Sequence, residues 1–247
     1  TTDAKTASIT DKTTPTTTTT TYTTPSHWTT LTPTDQSTFL TYLNERCHPL
    51  SLLSANRYTT EPYHRRGSIN FRFTPSTNPS AYAAVSLDCE MVETIYHEDA
   101  VVQVTLVDIL TNTLLLDLTV VPTHQILDYR TKYSGMSASL MSERIAQGKT
   151  VTGYAAARAK IWEFINADTI LVGQSLNNDL NVLGMTHWRI VDSFLLVKEG
   201  GYREMGKSMR LKALVEDFVG VEIQKGDGSS GHDCAEDAFA AREVVVW

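Results

Sequence analysis

Two acidic residues, Asp88 and Glu90, lie near the end of a mostly apolar run at 81–92. A run of this length that contains valine is typical of a buried strand. Because side chains alternate along a strand, both carboxylates point to the same face. Neighbouring carboxylates repel each other and resist dehydration, and a divalent cation relieves both costs because it prefers oxygen ligands. The alternative is a strand end at which both acids face water.

A third acidic residue, Asp179, lies near the start of a predicted helix at 176–183. This helix follows a short buried strand predicted at 169–173, and Ser175 between them is the expected N-cap. The leucines of the helix repeat on one face, and Asp179 lies on or beside that face. A carboxylate there is costly unless it meets an arginine or a backbone amide, or binds a metal.

The fourth acidic residue, Asp237, follows a histidine at the start of the last predicted helix. Asp233 and Glu236 have the spacing of a capping box, which starts this helix at about Cys234. His232 and Asp237 then occupy the two positions whose side chains normally meet as a hydrophobic staple. The spacing therefore predicts contact between an imidazole and a carboxylate, and packing before the helix is the alternative role of the histidine.

Four carboxylates and one imidazole thus occur on one strand and at two helix starts. Such a set is the inventory of a two-metal phosphodiester site, in which two divalent ions hold the attacking water and the leaving oxygen. Carboxylates supply the oxygen ligands that Mg²⁺ or Mn²⁺ prefers, and a neutral imidazole can take a proton from the water. The residues of this predicted site are Asp88, Glu90, Asp179, Asp237 and His232.

The overall charge of the 247-residue chain is −7, which excludes a basic surface as the general means of binding nucleic acid. Three cysteines that lie far apart argue against disulfides and for a reducing compartment, and we expect an intracellular protein of the nucleus or cytoplasm. Neither a membrane-spanning run nor a secretory signal is expected. A zinc site at Cys47, His48 and His64 is disfavoured because its spacing departs from known zinc patterns.

Composition divides the chain into three regions. Residues 1–30 contain 16 threonines and little to bury, which predicts a disordered, low-complexity tail. Residues 31–80 predict a packing extension, with a lid or a nucleic-acid contact as the alternative, and residues 81–247 predict the main domain. The extension contains three local signals: a capped helix start at Thr32-Pro33-Thr34-Asp35 with an end by His48, a basic cluster at Arg65-Arg66-Gly67, and a short strand at Phe71-Arg72-Phe73.

Within the main domain, strands precede a region of alternating helices and strands. Runs at 101–107 and 114–120 predict an antiparallel three-stranded meander with the strand of Asp88. Further elements are predicted as helices at 140–146 and 154–165, a strand at 190–191, and a helix capped by Ser208 and ended by Gly220. This order indicates an α/β domain with a mixed sheet covered by helices.

Four segments resemble the motifs of the DEDDh, or DnaQ-like, superfamily of 3′–5′ exonucleases, and in particular its Rex-type eukaryotic RNA exonucleases. They are 87–92, 128–136, 173–180 and 232–241, in this order. The resemblance spans about residues 82–247. It implies an RNase H-like fold, in which a mixed sheet of five strands is flanked by helices.

The resemblance also implies a role for each matched residue. Asp88, Glu90, Asp179 and Asp237 are expected to bind two Mg²⁺ or Mn²⁺ ions, and His232 is expected to act as the general base. Met91 is expected near the terminal nucleotide, and Arg130 and Lys132 near the RNA backbone. Three positions depart from the family pattern without removing a ligand: Glu93 replaces a frequent glycine, Gln103 a frequent arginine and Gln174 a common histidine.

The sequence therefore predicts a metal-dependent 3′–5′ exoribonuclease that releases nucleoside 5′-monophosphates in RNA processing or turnover. Its expected partners are the 3′ ends of single-stranded RNA. A DNA exonuclease of the same fold is one alternative, because only a contact to the 2′-hydroxyl distinguishes the two substrates. A catalytically silent binding module is the other, and the complete set of acids argues against it.

Overall fold

The computed structural model describes residues 28–63, 69–203, 205–225 and 231–247. The helices of these residues are α1 Pro33–Arg46, α2 Leu50–Ala55, α3 Thr131–Ser134, α4 Ala138–Ala146, α5 Tyr154–Ile161, α6 Asn177–Leu183, α7 Ser193–Glu199, α8 Leu211–Val219 and α9 Cys234–Val246. The strands are β1 Arg72–Phe73, β2 Ala84–Thr94, β3 Asp99–Asp108, β4 Thr113–Val121, β5 Ile126–Asp128, β6 Thr150–Thr152, β7 Ile170–Gly173, β8 Met185–Thr186 and β9 Ile190–Asp192.

A mixed central sheet has the strand order β6-β4-β3-β2-β7-β9, with β5 beside the end of β2. Strands β2, β3 and β4 form the predicted antiparallel meander, and β7 and β9 continue the sheet in parallel. These five strands are the mixed sheet expected from the sequence, and the short strands β5 and β6 extend it. A separate two-stranded sheet pairs β1 of the extension with β8.

Helices cover both faces of the sheet, as predicted. On one face, Leu87 and Cys89 of β2 are buried with Leu180 and Leu183 of α6. On the other face, the hydroxyl of Ser86 donates a hydrogen bond of 2.7 Å to a backbone carbonyl of α9. Because side chains alternate along β2, the carboxylates at positions 88 and 90 belong to the α9 face.

The N-terminal part of the described chain confirms the predicted helix start. Thr32 caps α1 in a complete capping box with Asp35, and the helix ends at Arg46 before the expected stop. Of the predicted tail, residues 1–27 lie outside the described residues. Trp28 is only 4% exposed and packs with residues of α8 and α9, while the N–H of Thr29 donates to Glu243 at 3.0 Å. Trp28 and Thr29, which belong to the predicted tail, therefore pack against the domain.

Two predicted helix boundaries are wrong for identifiable reasons. Helix α5 ends at Ile161 instead of 165, because the following turn is tightened by i→i−3 bonds from Glu163 to Lys160 and from Phe164 to Ile161. The Asn78 side chain donates to the free carbonyls of residues 162 and 163. Ser208 does not cap α8. Its hydroxyl accepts the N–H of Arg210, but the helix begins only at Leu211 and Arg210 occupies the N-cap position. The predicted end at Gly220 is confirmed.

Three further predictions concern the extension, the cysteines and the membrane. The basic cluster at 65–67 lies outside the described residues, as does His64 of the disfavoured zinc site. Cys47, Cys89 and Cys234 are free thiols. Among the helices of the described ranges, none combines the length and the apolar character needed to cross a bilayer.

Candidate active site

Asp88 and Glu90 lie near the centre of the sheet, on strand β2, which pairs with β3 on one side and with β7 on the other. They pair with Thr105 and Gln103 of β3, and a bulge follows directly between Glu90 and Met91. Glu90 is only 8% exposed, so its carboxylate is withdrawn from bulk water. The strand thus presents two buried or partly buried acids on its α9 face, as the alternation predicts.

Asp179 reaches the same site from α6, where it is 5% exposed. Cys89, one residue from Asp88, acts on the Asp179 carboxylate and lowers its pKa, which places Asp179 beside the strand of Asp88. The start of α6 is fixed by Asp192, whose carboxylate accepts the N–H groups of Ser175 and Leu176, each at 3.0 Å. The predicted cap by Ser175 is therefore wrong, since a carboxylate from the next strand satisfies these amides.

His232 and Asp237 make the contact that the capping geometry predicts. The Nδ1 atom of His232 lies 3.3 Å from a carboxylate oxygen of Asp237. Asp233 caps α9 through the N–H groups of Ala235 and Glu236. The capping box is only half formed, because the Glu236 carboxylate accepts the N–H of residue 224 at 2.8 Å.

Gln224 belongs to the site, although no role was predicted for it from the sequence. Its side-chain amide donates to both carboxylate oxygens of Asp237 at 3.0 Å and lies 3.4 Å from Nδ1 of His232. The segment 211–224 resembles the approach to the third family motif, which is the signal that could have identified it. Gln224 thus holds the imidazole and the carboxylate at a fixed separation.

The loop that carries His232 packs against the turn at 131–135. Gly231 has a positive φ of 68°, and a side-chain Cβ there would lie 2.2 Å from the backbone N of Gly135. The N–H of His232 donates to the carbonyl of Tyr133 at 2.8 Å, and the two rings are in edge-to-face contact. The matched segment 128–136 therefore positions the imidazole, and only glycine permits so close an approach.

Burial and mutual repulsion raise the pKa values of the carboxylates. Burial raises the pKa of Asp88 well above its usual range, and the charges of Asp179, Asp237 and Glu90 raise it further. Burial also raises the pKa of Glu90 to about 9, with Asp237 as the next cause. For Asp179, burial raises the pKa to about 8, although Cys89 opposes the rise. The ionised carboxylates of the site repel one another, and binding of protons or cations reduces this repulsion.

This donor set fits divalent metal ions. Ligand atoms of Glu90, Asp237 and His232 all lie within 4.8 Å of one another, and the strongest charges acting on Asp88 are carboxylates. Carboxylate oxygens in a repelling cluster are the ligands that hard divalent cations prefer. The four acids predicted as metal ligands are therefore brought together on β2, α6 and α9.

The predicted substrate-binding residues occupy different environments. Met91 is half-buried against the core beside the site. Arg130 is paired with Asp99 at 2.7 Å and with Glu93 at 3.5 Å, whereas Lys132 is exposed.

The other two departures from the family pattern also have partners. The side-chain amide of Gln103 donates to Asp117 at 2.7 Å, and that of Gln174 donates to the carbonyl of Met209 at 2.9 Å. Each departure therefore changes local contacts around the site without removing one of the four acids.

A cleft of about 670 Å³ opens from the site. It extends from Asp88, Asp237 and His232 to the start of α8, where Arg210 and Lys212 line it. Two cations at the edge of an acidic site form a polar surface that the sequence did not predict. Their position depends on the packing of α8 against α9, which local patterns do not reveal.

The antiparallel meander continued by parallel strands, with acids at the centre of the first strand, defines an RNase H-like nuclease domain. No family model matches the chain. "Small RNA degrading nuclease 2" of Arabidopsis thaliana is 36% identical over 173 residues, which are 68% of this chain and 35% of that protein. "RNA exonuclease 3" of Yarrowia lipolytica is 35% identical over 166 residues, which are 66% of this chain and 21% of that protein.

A solved structure has the same fold. The Pan2 catalytic unit of Neurospora crassa, with its protease and nuclease domain, superposes with a TM-score of 0.56 at 16% identity, over 79% of this chain and 31% of that one. The chain belongs to the DEDD-type family of RNase H-like 3′–5′ exonucleases. It spans about a third or less of the length of these relatives.

Proposed function

We propose that this chain is a metal-dependent 3′–5′ exoribonuclease that releases nucleoside 5′-monophosphates from the 3′ ends of single-stranded RNA. The observation that carries the proposal is the position of Asp88, Asp237 and His232 at one end of a cleft. Glu90 lies beside Asp237 and His232, and the charge of Asp179 acts on Asp88. The relatives named as RNA-degrading enzymes support RNA as the substrate class. Within this proposal, the enzyme acts in RNA processing or turnover in the nucleus or cytoplasm.

The four carboxylates of Asp88, Glu90, Asp179 and Asp237 would hold two Mg²⁺ or Mn²⁺ ions. When bound, such ions lower the pKa of water and stabilise the charge on the leaving oxygen. His232 takes the proton of the attacking water at Nε2, because Nδ1 faces Asp237 and Gln224. Asp237 and Gln224 orient the imidazole for this transfer.

Substrate contacts in this proposal come from strand β2 and from the matched segment 128–136. Met91 contacts the terminal nucleotide, and Arg130 and Lys132 contact the backbone phosphates. Arg130 must leave Asp99 or Glu93 to do so, which is feasible because exposed ion pairs are weak.

The test is hydrolysis of single-stranded RNA and DNA labelled at either end, with Mg²⁺, Mn²⁺ or EDTA. We expect 5′-labelled RNA to shorten stepwise from its 3′ end, and 3′-labelled RNA to release a labelled mononucleotide at once. Asp179→Asn is expected to abolish the reaction, whereas Asp168→Asn, which changes an exposed acid, serves as the matched control. Preferential cleavage of DNA would assign the other substrate, and full activity in EDTA would contradict the metal requirement.

A further inference from the structure

Besides the site residues, the cleft is lined by Met209, Arg210, Leu211 and Lys212 at the start of α8. We call these four residues the α8 wall. Arg210 is exposed, and it has no ion-pair partner in the described ranges 28–63, 69–203, 205–225 and 231–247. The wall therefore presents an uncompensated guanidinium to the cleft.

Lys212 connects the α8 wall to the site. Its Nζ lies 3.3 Å from the carboxylate of Glu222 and 3.4 Å from the backbone carbonyl of Gln224. The side chain of Gln224 in turn donates to Asp237. Lys212 is half-buried, so its ammonium group is placed beside the acidic site by protein contacts.

The wall is held on a rigid frame. Leu211, Leu214 and Val215 of α8 are buried in a cluster with Phe239 of α9, the helix that carries Asp237. The residue before Arg210 is tied to the end of β7, because the Gln174 amide donates to the Met209 carbonyl. The backbone that carries the cations of the wall thus keeps a fixed position relative to the carboxylates.

A polyanion that approaches four carboxylates on a chain of net charge −7 needs local positive charge. Arg130, a cation of the matched segment 128–136, is already paired with Asp99 and Glu93. The α8 wall offers Arg210 without such a pair, and Phe194 and Met209 add apolar surface to the cleft.

We propose that the α8 wall is a phosphate-binding subsite for the RNA strand upstream of the scissile bond. Arg210 and Lys212 contact backbone phosphates there, and the inference rests on the exoribonuclease function proposed above. The contacts are to the backbone, so they strengthen binding of any sequence and add nothing to a substrate too short to reach them.

The test compares a dinucleotide with a longer single-stranded RNA as substrates of the full chain. Arg210→Ala should raise KM for the longer RNA and leave kcat/KM for the dinucleotide unchanged, because Arg210 has no contact with the carboxylates or with Gln224 in the described residues. Adding Lys212→Ala should raise KM for the longer RNA further. The slope of log KM against log salt should fall by about 0.7 for each lost contact. Arg210→Lys should retain most of the slope. Lys207→Ala is the matched control, because its Nζ is paired with Asp217 outside the cleft and its substitution removes the same charge.

Two outcomes in an active enzyme overturn the inference. In one, the double variant has the KM and salt slope of the Lys207→Ala control. In the other, dinucleotide turnover falls as much as that of the longer RNA, which assigns these residues to the structure of the site. If the wild type cleaves neither substrate, the proposed function fails. Fluorescence anisotropy with the longer RNA then still measures whether the α8 wall binds RNA. Equal binding by the wild type and the double variant overturns the inference.

Discussion

The phenol of Tyr58 donates a hydrogen bond to the carboxylate of Asp192. The same carboxylate accepts the N–H groups of Ser175 and Leu176, which lead into the helix that carries Asp179. A residue of the extension, outside the region of family resemblance, therefore contacts the group that fixes the start of this helix. This contact favours the packing role of residues 31–80 over that of a lid.

We expect Tyr58→Phe to weaken both the fold and the metal site. Tyr58 is buried, and removal of its hydroxyl leaves the buried Asp192 carboxylate with one donor fewer, which costs about 1–3 kcal/mol. Thermal unfolding and a Mn²⁺ titration measure the two effects, and Tyr96→Phe, at an exposed tyrosine, is the control. Lower stability with unchanged Mn²⁺ affinity would show that the contact does not position Asp179.

Truncation separates the threonine-rich tail from Trp28. Deletion of residues 1–27 should leave turnover and stability nearly unchanged, because these residues contain no matched motif. Deletion of residues 1–30 also removes Trp28, and loss of a buried tryptophan costs about 3–5 kcal/mol. Turnover and melting temperature of both truncated proteins, with Trp28→Ala in the full chain, test this boundary. A large fall in turnover for a stable 28–247 chain would contradict the expected role of the tail.

The parts of the site that the sequence predicts are those set by local geometry. The shared face of Asp88 and Glu90 follows from strand alternation, and the contact of His232 with Asp237 follows from the helix cap. The mixed sheet of five strands follows from the family resemblance. Each of these relationships joins residues that are close in the chain or belong to a recognised motif.

The parts that it does not predict depend on contacts between distant segments. Ser175 has the right type and place for an N-cap, yet Asp192 supplies the acceptor because β7 and β9 are neighbours in the sheet. In the same way, Arg130 meets Asp99 only because β5 and β3 lie on either side of β2. Side-chain partners of this kind become visible only in the folded chain.

The pairing of Arg130 with Glu93 leads to opposite expectations for two substitutions. Arg130→Ala should raise KM for RNA and flatten its salt dependence, and Lys132→Ala should do the same, with smaller effects on kcat. Glu93→Ala should lower KM, because it frees Arg130 from one of its two partners. The measurement is KM at several salt concentrations, with Lys160→Ala at a distant exposed pair as the control. Unchanged KM and salt slope in the Arg130 and Lys132 variants would assign them to a solvated surface turn.

Metal binding should stabilise the fold more strongly as pH rises. The folded pKa values of Glu90, about 9, and Asp179, about 8, exceed the usual value near 4 of an unfolded chain. The metal-free folded protein therefore binds more protons than the unfolded protein, and its stability falls as pH rises from about 4 through these values. A metal must displace the same protons, so its affinity increases over this range.

Melting temperatures with Mg²⁺ and with EDTA, from about pH 6 to pH 8.5, test this expectation. The difference between the two conditions should widen with pH, and Asp179→Asn should raise the melting temperature in EDTA while reducing the gain from Mg²⁺. Asp168→Asn, at an exposed acid, should behave as the wild type. A difference that does not vary with pH would contradict the assignment of these carboxylates as ligands.

His232 and Asp237 should separate by role although they are in contact. A general base must be neutral, so the rate should rise with pH through the titration of His232, whose hydrogen bond to Asp237 raises its pKa above the usual 6.5. His232→Ala should lower kcat by about 10²- to 10⁴-fold and abolish the rise of the rate with pH, while Mn²⁺ and RNA binding persist. Asp237→Ala should instead weaken metal affinity, and higher Mn²⁺ should partly restore activity.

Single-turnover rates of both variants from about pH 5.5 to pH 9, with metal titrations alongside, measure these effects. If His232 serves only to pack before α9, its replacement would lower stability by at most a few kcal/mol and a folded sample would turn over normally. Gln224→Ala provides an intermediate case, because it releases the imidazole and the carboxylate from their common donor without removing either. Near-wild-type cleavage by His232→Ala at neutral pH would exclude the imidazole as the base, because no alanine can accept the proton of the attacking water.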